Sequence, residues 1–201
     1  MARLPLSKSQ LTREKDNMAS YRRYLPALDL KRQQLMAERN RERDKLAQVR
    51  SRLEAVAVDV GAELPMLADR RVALDGLVKL GAVKLGSQNV AGVKLPMIED
   101  VEVLRAPHGK MVRPHWVDTA ADRLADAIRL RVEARVLAQR VKLLDAAVVT
   151  ITQRTNLFDK VLIPQAATNI RRILVYLGDA ERAAVVTAKI AKSKSNARAA
   201  I

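Results

Sequence analysis

The sequence predicts a mainly α-helical protein in which two long helices flank a small β-containing segment. Three observations favour this fold class. Hydrophobic residues make up 49% of the 201 residues but aromatic residues only 2%, whereas a compact globular core usually contains many more rings. Glycine and proline number seven each, so turns are few. Apolar residues recur at heptad spacing near both ends of the chain and alternate with polar residues in the middle.

The first helix is predicted within residues 1–70, where apolar residues recur with the 3.5-residue spacing of a coiled coil. The seam is interrupted at Arg32, Arg39 and Glu42, and there we expect it to be hydrated or to face another group. Pro26 lies beside the seam and should bend the helix or remove a hydrogen bond. The predicted seam residues of this helix are Leu11, Met18, Leu25, Leu28, Leu35, Leu46, Val49 and Leu53.

The second helix is predicted over residues 118–190. Asp118 is a suitable first residue, because acidic side chains near a helix start complement the helix dipole. Pro164 should kink this helix, and we expect residues 191–201 to form a basic flexible tail. The predicted seam residues are Leu130, Leu137, Val141, Leu144, Val148, Ile151 and Phe158.

The middle segment, residues 71–117, changes its period. Three Val-Lys-Leu runs alternate apolar with polar residues, and Gly81, Gly86 and Gly92 punctuate them. This pattern predicts short strands, with a β-hairpin and a loose extension. We expect residues 106–115 to form a loop that leads back to the second helix.

The net charge of +15 constrains the partners. Residues 1–55 and 118–201 each carry a net charge of +7, and the segment between them carries +1. Basic arms suit nucleic acid, an anionic membrane or an acidic protein surface, and charge alone leaves all three open. A nucleic-acid or ribosome-associated coiled-coil factor would bind with a steep salt dependence, but the aromatic residues that stack on bases are almost absent. A peripheral membrane coiled coil would need an aromatic-rich interfacial face, which the sequence lacks.

The sequence offers little support for a catalytic role. The sequence has no cysteine, which excludes disulfides, thiolate zinc sites and cysteine nucleophiles. The two histidines, His108 and His115, have no carboxylate at a ligand-like spacing. The glycines at 81 and 86 have the spacing of a phosphate loop but are not followed by Lys-Ser/Thr. With no apolar run of about 20 residues and no signal peptide, we expect a cytoplasmic chain that is not an enzyme by itself and binds neither cofactor nor metal.

Several segments, in order along the whole chain, resemble the D subunit of the V-type and A-type rotary ATPases. Thr155, Phe158 and Asp159 depart from the usual family pattern, so the resemblance is to a divergent bacterial member. The segments that carry it are Leu-Pro-Leu-Ser-Lys-Ser at 4–9, Lys-Arg-x-x-Leu at 31–35, Asn-Val-Ala-Gly-Val-Lys-Leu-Pro at 89–96, Arg-Thr-Asn-Leu-Phe at 154–158, Ile-Pro at 163–164 and Ile-Arg-Arg-Ile at 170–173.

The resemblance implies a long antiparallel coiled coil of the N- and C-terminal helices with a small β-hairpin-containing insertion. It implies the central stalk of a proton- or sodium-translocating ATPase, at the cytoplasmic face of the membrane. Both termini would lie inside the ring of catalytic A and B subunits, and the lower part would bind the F subunit and the funnel-shaped rotor subunit of the C/d type. It also implies no transmembrane segment, no direct nucleotide binding and no nucleic-acid partner. Candidate positions for partner contact or asymmetry are Arg32, Arg39, Glu42, Arg154, Asn156, Pro164, Arg171 and Arg172.

Overall fold

A computed structural model describes residues 5–68, 76–106 and 114–199. The predicted fold class is confirmed: the chain is mainly helical, with a long helix at each end and a two-stranded antiparallel hairpin between them. The elements in order are α1 (Lys8–Glu63), a short 3₁₀ turn (Pro65–Ala68), β1 (Val78–Val90), β2 (Val93–Arg105), α2 (Trp116–Leu157), a π-helical turn (Phe158–Leu162) and α3 (Ile163–Ala199).

Helix α1 begins at a polar cap and ends before a proline. The hydroxyl oxygen of Ser7 accepts a hydrogen bond from the Gln10 backbone N–H at 3.3 Å, which satisfies one of the unpaired donors at a helix start. Pro26 lies inside α1, which continues through it. The helix ends at Glu63, two residues before Pro65, because the residue preceding a proline is pushed out of the helical conformation.

The hairpin reverses through a tight two-residue turn. Val90 pairs with Val93, and the two residues between them have positive φ, 48° at Ala91 and 84° at Gly92. Two positive φ values are what the favoured two-residue hairpin turn requires, and glycine adopts them without strain. The Asn89 side-chain oxygen accepts a hydrogen bond from the Gly92 backbone N–H at 2.9 Å and closes the turn.

Two glycines expected to separate short strands instead lie inside one long strand. Gly81 and Gly86 both belong to β1, and the pairing with β2 shifts near each of them. The Glu102 side chain covers Gly81, and the Glu99 side chain covers Gly86. A glycine inside a strand often marks a bulge or a close approach, so here it lets the strand continue and does not end it.

The helix after the hairpin is interrupted by a π-helical turn and not by a break. The Ile163 backbone N–H donates to the Phe158 carbonyl, a spacing one residue wider than in an α-helix. Pro164, which has no N–H and whose ring crowds the preceding turn, follows directly. Helix α3 then continues to Ala199, beyond the tail boundary that we expected at residue 191. The reason is local: alanine, lysine and arginine dominate this stretch and favour helix.

The chain packs as two compact units. We call residues 31–150 the hairpin unit and residues 1–30 with 151–201 the terminal unit. In the hairpin unit, α1 and α2 run antiparallel, since Arg43 contacts Asp145 and Glu63 contacts Arg123. The core beside the hairpin base consists of Leu64, Leu77, Val78, Trp116, Val117, Ala121 and Ala125.

In the terminal unit, the start of α1 runs antiparallel to α3. Lys8 lies 3.9 Å from Glu181, and the rings of Tyr21 and Phe158 meet edge to face with centroids 5.4 Å apart. Such an aromatic pair contributes about 0.5–1.5 kcal/mol beyond the area it buries. Phe158 is also the residue whose carbonyl closes the π-helical turn, so this turn and the aromatic contact occur at the same point.

Candidate functional site

The residues that the heptad pattern predicts as a seam are all withdrawn from solvent to some degree. In the hairpin unit, Leu46, Val49 and Leu137 form one buried cluster, with Leu130 and Val141 packed against it. The buried seam residues are Leu35, Leu46, Val49, Leu137, Leu144, Val148 and Ile151. The half-buried ones are Leu11, Met18, Leu25, Leu28, Leu53, Leu130, Val141 and Phe158.

The interruption of the seam at Glu42 is filled by a buried ion pair. The Glu42 side chain is 0% exposed. Its Oε2 lies 2.8 Å from Nε of Arg140, its Oε1 lies 3.3 Å from Nη2 of the same residue, and Nζ of Lys45 donates to Oε1 at 2.8 Å. Removing a carboxylate from water is costly unless opposite charge and hydrogen bonds replace the water. Here two cations supply the opposite charge, and both of their hydrogen bonds go to Oε1.

Arg140 also holds the hairpin against the helices. Its Nη1 donates to the Pro96 carbonyl at 3.1 Å and its Nη2 to the Gln88 side-chain oxygen at 3.2 Å. One guanidinium therefore joins α1, α2 and both strands, and its side chain is only 9% exposed. The planar fork of arginine, with five donors, suits such a junction in a way that lysine does not.

Sequence reasoning missed Arg140. It lies beside the seam of α2, where an arginine is usually a solvated flank, and its partners are 98, 52 and 44 residues away in the chain. One feature could have pointed to it: an acidic residue in a seam position, Glu42, requires a buried cation on the facing helix.

The other two interruptions on α1 are not fully buried. Arg39 lies 3.8 Å from Asp145 and also bonds the neighbouring Asn40, while Nη2 of Arg43 donates to both Asp145 oxygens at 2.9 and 3.0 Å. Arg32 is half-buried. This side of the hairpin unit therefore has partly exposed ion pairs between α1 and α2, at Arg39 and Arg43, and a buried ion pair at Glu42.

The remaining predicted positions lie on the surface of the terminal unit. Arg154, Asn156, Pro164, Arg171 and Arg172 are all exposed. Within the described part of the chain, the three arginines have no ion-pair partner, and apolar side chains beside the last two, Leu174, Val175 and Tyr176, are about half exposed. The terminal unit therefore presents cations and apolar side chains together on its surface.

An apolar cavity of about 440 Å³ lies in the hairpin unit. Nearly all of its wall is aliphatic, with Arg123 and Arg131 as the charged lining residues. In residues 5–68, 76–106 and 114–199, no three His, Asp or Glu side chains come together as metal ligands would. No helix in the same ranges is long and apolar enough to cross a membrane.

Known proteins share this sequence pattern along nearly the whole chain. Residues 10–193 match the family model that describes the D subunit of ATP synthase. The V-type ATP synthase D subunit of Borreliella burgdorferi is 33% identical, over 96% of this chain and 95% of that protein. The proteins of the same name from Chlamydia pneumoniae and Chlamydia felis are 29% and 28% identical, over 97% and 98% of this chain and 94% and 96% of theirs.

Proposed function

Since the chain belongs to the D-subunit family of ATP synthases, we propose that it is the central stalk of a V/A-type rotary ATPase. In this proposal it transmits torque between the catalytic A/B hexamer and the ion-translocating ring in the membrane, and it performs no catalysis itself. The observation that carries the proposal is the match to the D-subunit family over residues 10–193, on a chain whose long α1 contacts α2 in the hairpin unit and α3 in the terminal unit.

The packing of the helices suits a torque-bearing role. Within the hairpin unit, apolar side chains of α1 and α2 interlock at Leu46, Val49 and Leu137. Close-packed side chains resist displacement because even small shifts lose contacts. Rotation of one helix about its axis therefore has to move the other helix. We expect a torque applied at one end of the pair to be transmitted along it.

The charge of the terminal unit suits a partner with an acidic inner surface. The family resemblance gives the catalytic A and B subunits as the partners around the termini, and we propose that Arg154, Arg171 and Arg172 face them. The F subunit and the funnel-shaped C/d-type subunit would bind elsewhere on the chain, and the complex would lie at the cytoplasmic face of the membrane. Exposed charges of this kind guide and orient association more than they add affinity.

Asymmetry of the stalk is the second part of the proposal. A rotor that presents different surfaces to three catalytic sites shifts which conformation each site favours. The turn before Pro164 is a local departure from helical symmetry, and Arg32, Arg39 and Glu42 interrupt the seam of α1. We propose these positions as sources of asymmetry, with Asn156 as a further contact.

The first experiment identifies the assembly. The tagged full chain is purified from gently solubilised native membranes, and the co-purifying complex is weighed by native mass spectrometry. We expect a large assembly that contains a nucleotide-binding hexamer. A lone chain, or a chain that carries nucleic acid, would contradict the proposal and favour the basic coiled-coil factor.

A second experiment tests rotation. Because the chain has no cysteine, Ser193→Cys provides one thiol on the exposed end of α3 for a photoreactive maleimide. Irradiation should attach the stalk to a catalytic subunit and abolish ATP hydrolysis, because a fixed rotor cannot turn. Lys84→Cys, exposed on the hairpin, is the matched control. We expect no cross-link from it to A or B, and hydrolysis should persist after irradiation. Full hydrolysis by the complex that is cross-linked at position 193 would contradict a rotating stalk.

A further inference from the structure

The buried ion pair between Glu42 and Arg140 has a role that does not depend on the stalk proposal. We propose that this pair is a register lock: it selects one axial alignment of α1 against α2 in the hairpin unit and couples the docking of the β-hairpin to that alignment. The lock consists of the Glu42 carboxylate, the Arg140 guanidinium and the two hairpin acceptors at Gln88 and Pro96.

The apolar seam alone discriminates poorly between alignments. On α2, leucine recurs every seven residues at Leu130, Leu137 and Leu144, and on α1 at Leu46 and Leu53. Sliding one helix by one heptad therefore places apolar residues opposite apolar residues again. Hydrophobic burial, which has no direction and scales with area, changes little in such a slip.

The buried charges discriminate strongly. In the observed alignment, Nε of Arg140 and Oε2 of Glu42 are 2.8 Å apart. A slip of one heptad in one direction would bring Glu42 opposite Glu133, and in the other direction opposite Ala147. In both slipped alignments Arg140 would face an apolar seam residue. A buried charge without its partner is far costlier than a missing apolar contact, so the pair rejects both slips.

The hairpin is bound by the same guanidinium. Gln88 of β1 pairs with Leu95 of β2, the residue before Pro96, and Gln88 and Pro96 each supply one acceptor to Arg140. Neighbouring Leu95 is 0% exposed, so the hairpin is packed down at this level. A movement of Arg140 away from Glu42 would break the hairpin contacts at the same time. Loss of hairpin docking would therefore report a change in the alignment of α1 against α2.

The test uses pairs of introduced cysteines and a short bis-maleimide on the full chain. Arg43→Cys with Asp145→Cys reports the observed alignment, because these side chains touch. Asp145→Cys combined with Met36→Cys or with Arg50→Cys reports a slip of one heptad in either direction. In the otherwise unchanged chain, we expect cross-linking of the 43/145 pair alone.

The lock is then removed by Glu42→Leu with Arg140→Leu. This double substitution leaves no orphaned charge, so the unit should remain folded. We expect the slipped pairs to cross-link about tenfold more than in the parent, because the charge penalty no longer opposes them. Amide hydrogen exchange in residues 78–105 should also accelerate by about tenfold, as for a segment that opens locally. Cross-linking that stays confined to the 43/145 pair, or hairpin exchange that stays unchanged, would overturn the proposal.

Two further variants separate the two halves of the lock. Gln88→Ala removes one hairpin acceptor only, so hairpin exchange should accelerate while cross-linking stays at the 43/145 pair. Exchanging the charges, Glu42→Arg with Arg140→Glu, restores an ion pair but places an acceptor-only carboxylate at position 140. This variant should return cross-linking to the 43/145 pair without restoring hairpin protection, and it provides a second test should the leucine pair fail to fold. Slipped products from this exchange variant, at the level of the leucine pair, would contradict the lock.

Discussion

The hairpin unit and the terminal unit use their charges in different ways. In the hairpin unit, charged side chains join separate elements: Glu42 to Arg140, Arg43 to Asp145 and Glu63 to Arg123. In the terminal unit, the ion pair between Lys8 of α1 and Glu181 of α3 joins two highly exposed side chains. Charge pairs between separate elements help to specify how those elements pack, whereas Arg154, Arg171 and Arg172 are exposed on the terminal unit. This difference supports the two proposals above, which place the alignment of α1 and α2 in the hairpin unit and partner contact in the terminal unit.

The largest effect is expected from Arg140→Ala. It leaves the fully buried Glu42 carboxylate without its main partner, and breaking one side of a buried pair costs about 3–5 kcal/mol. Urea unfolding of the full chain measures the loss. Arg135→Ala, at an exposed position of the same helix, is the control and should change the free energy of unfolding by no more than about 0.5 kcal/mol. Equal losses in the two variants would mean that helix propensity, and not the buried pair, sets the cost.

Leu144→Ala comes next, because the Leu144 side chain is 0% exposed in the seam of the hairpin unit. Truncating a buried leucine costs about 2–5 kcal/mol through lost burial and the cavity left behind. The neighbouring Leu143 is 37% exposed, so Leu143→Ala should cost much less. The comparison uses midpoints of urea unfolding for the two variants, and a reversed order would contradict the seam assignment on α2.

Alanine at two glycines should have opposite effects in the two units. Gly92, in the hairpin turn, has φ of 84°, which strains any residue with a side chain, so Gly92→Ala should lower stability by about 1 kcal/mol. Gly178 lies inside α3 and nothing approaches an added Cβ within 4 Å. Gly178→Ala should therefore raise stability by up to about 1 kcal/mol. Thermal unfolding gives the sign of both changes, and a shared sign would disprove the contrast.

The smallest effect is expected for the pair of Arg43 and Asp145. Nη2 of Arg43 donates to both Asp145 oxygens, at 2.9 and 3.0 Å, but the Arg43 side chain is half exposed. Exposed ion pairs contribute about 0–1 kcal/mol and are weakened by salt. A double-mutant cycle with alanine at both positions, at low and high salt, measures the coupling. A coupling energy as large as the loss caused by Arg140→Ala would contradict the distinction between the buried Glu42–Arg140 pair and the exposed Arg43–Asp145 pair.

The periodic parts of this protein follow directly from its sequence. The heptad rows predict two long helices because a repeat of 3.5 residues keeps one face apolar, and the alternating middle predicts strands. The family resemblance also follows from local segments, and the match over residues 10–193 agrees with it. Glycine spacing gave a wrong prediction for β1, because a glycine that ends a strand and one that permits a close approach look the same in sequence.

The pairings between distant residues arise only once the chain has folded. Periodicity indicates which face of a helix is apolar, but it is unchanged by a slip of seven residues, so it contains no information on alignment. The partner of Glu42 is Arg140, 98 residues away, and the same guanidinium binds the hairpin. Such a contact depends on the distance and orientation of the two side chains, and these are set only when the helices pack against each other.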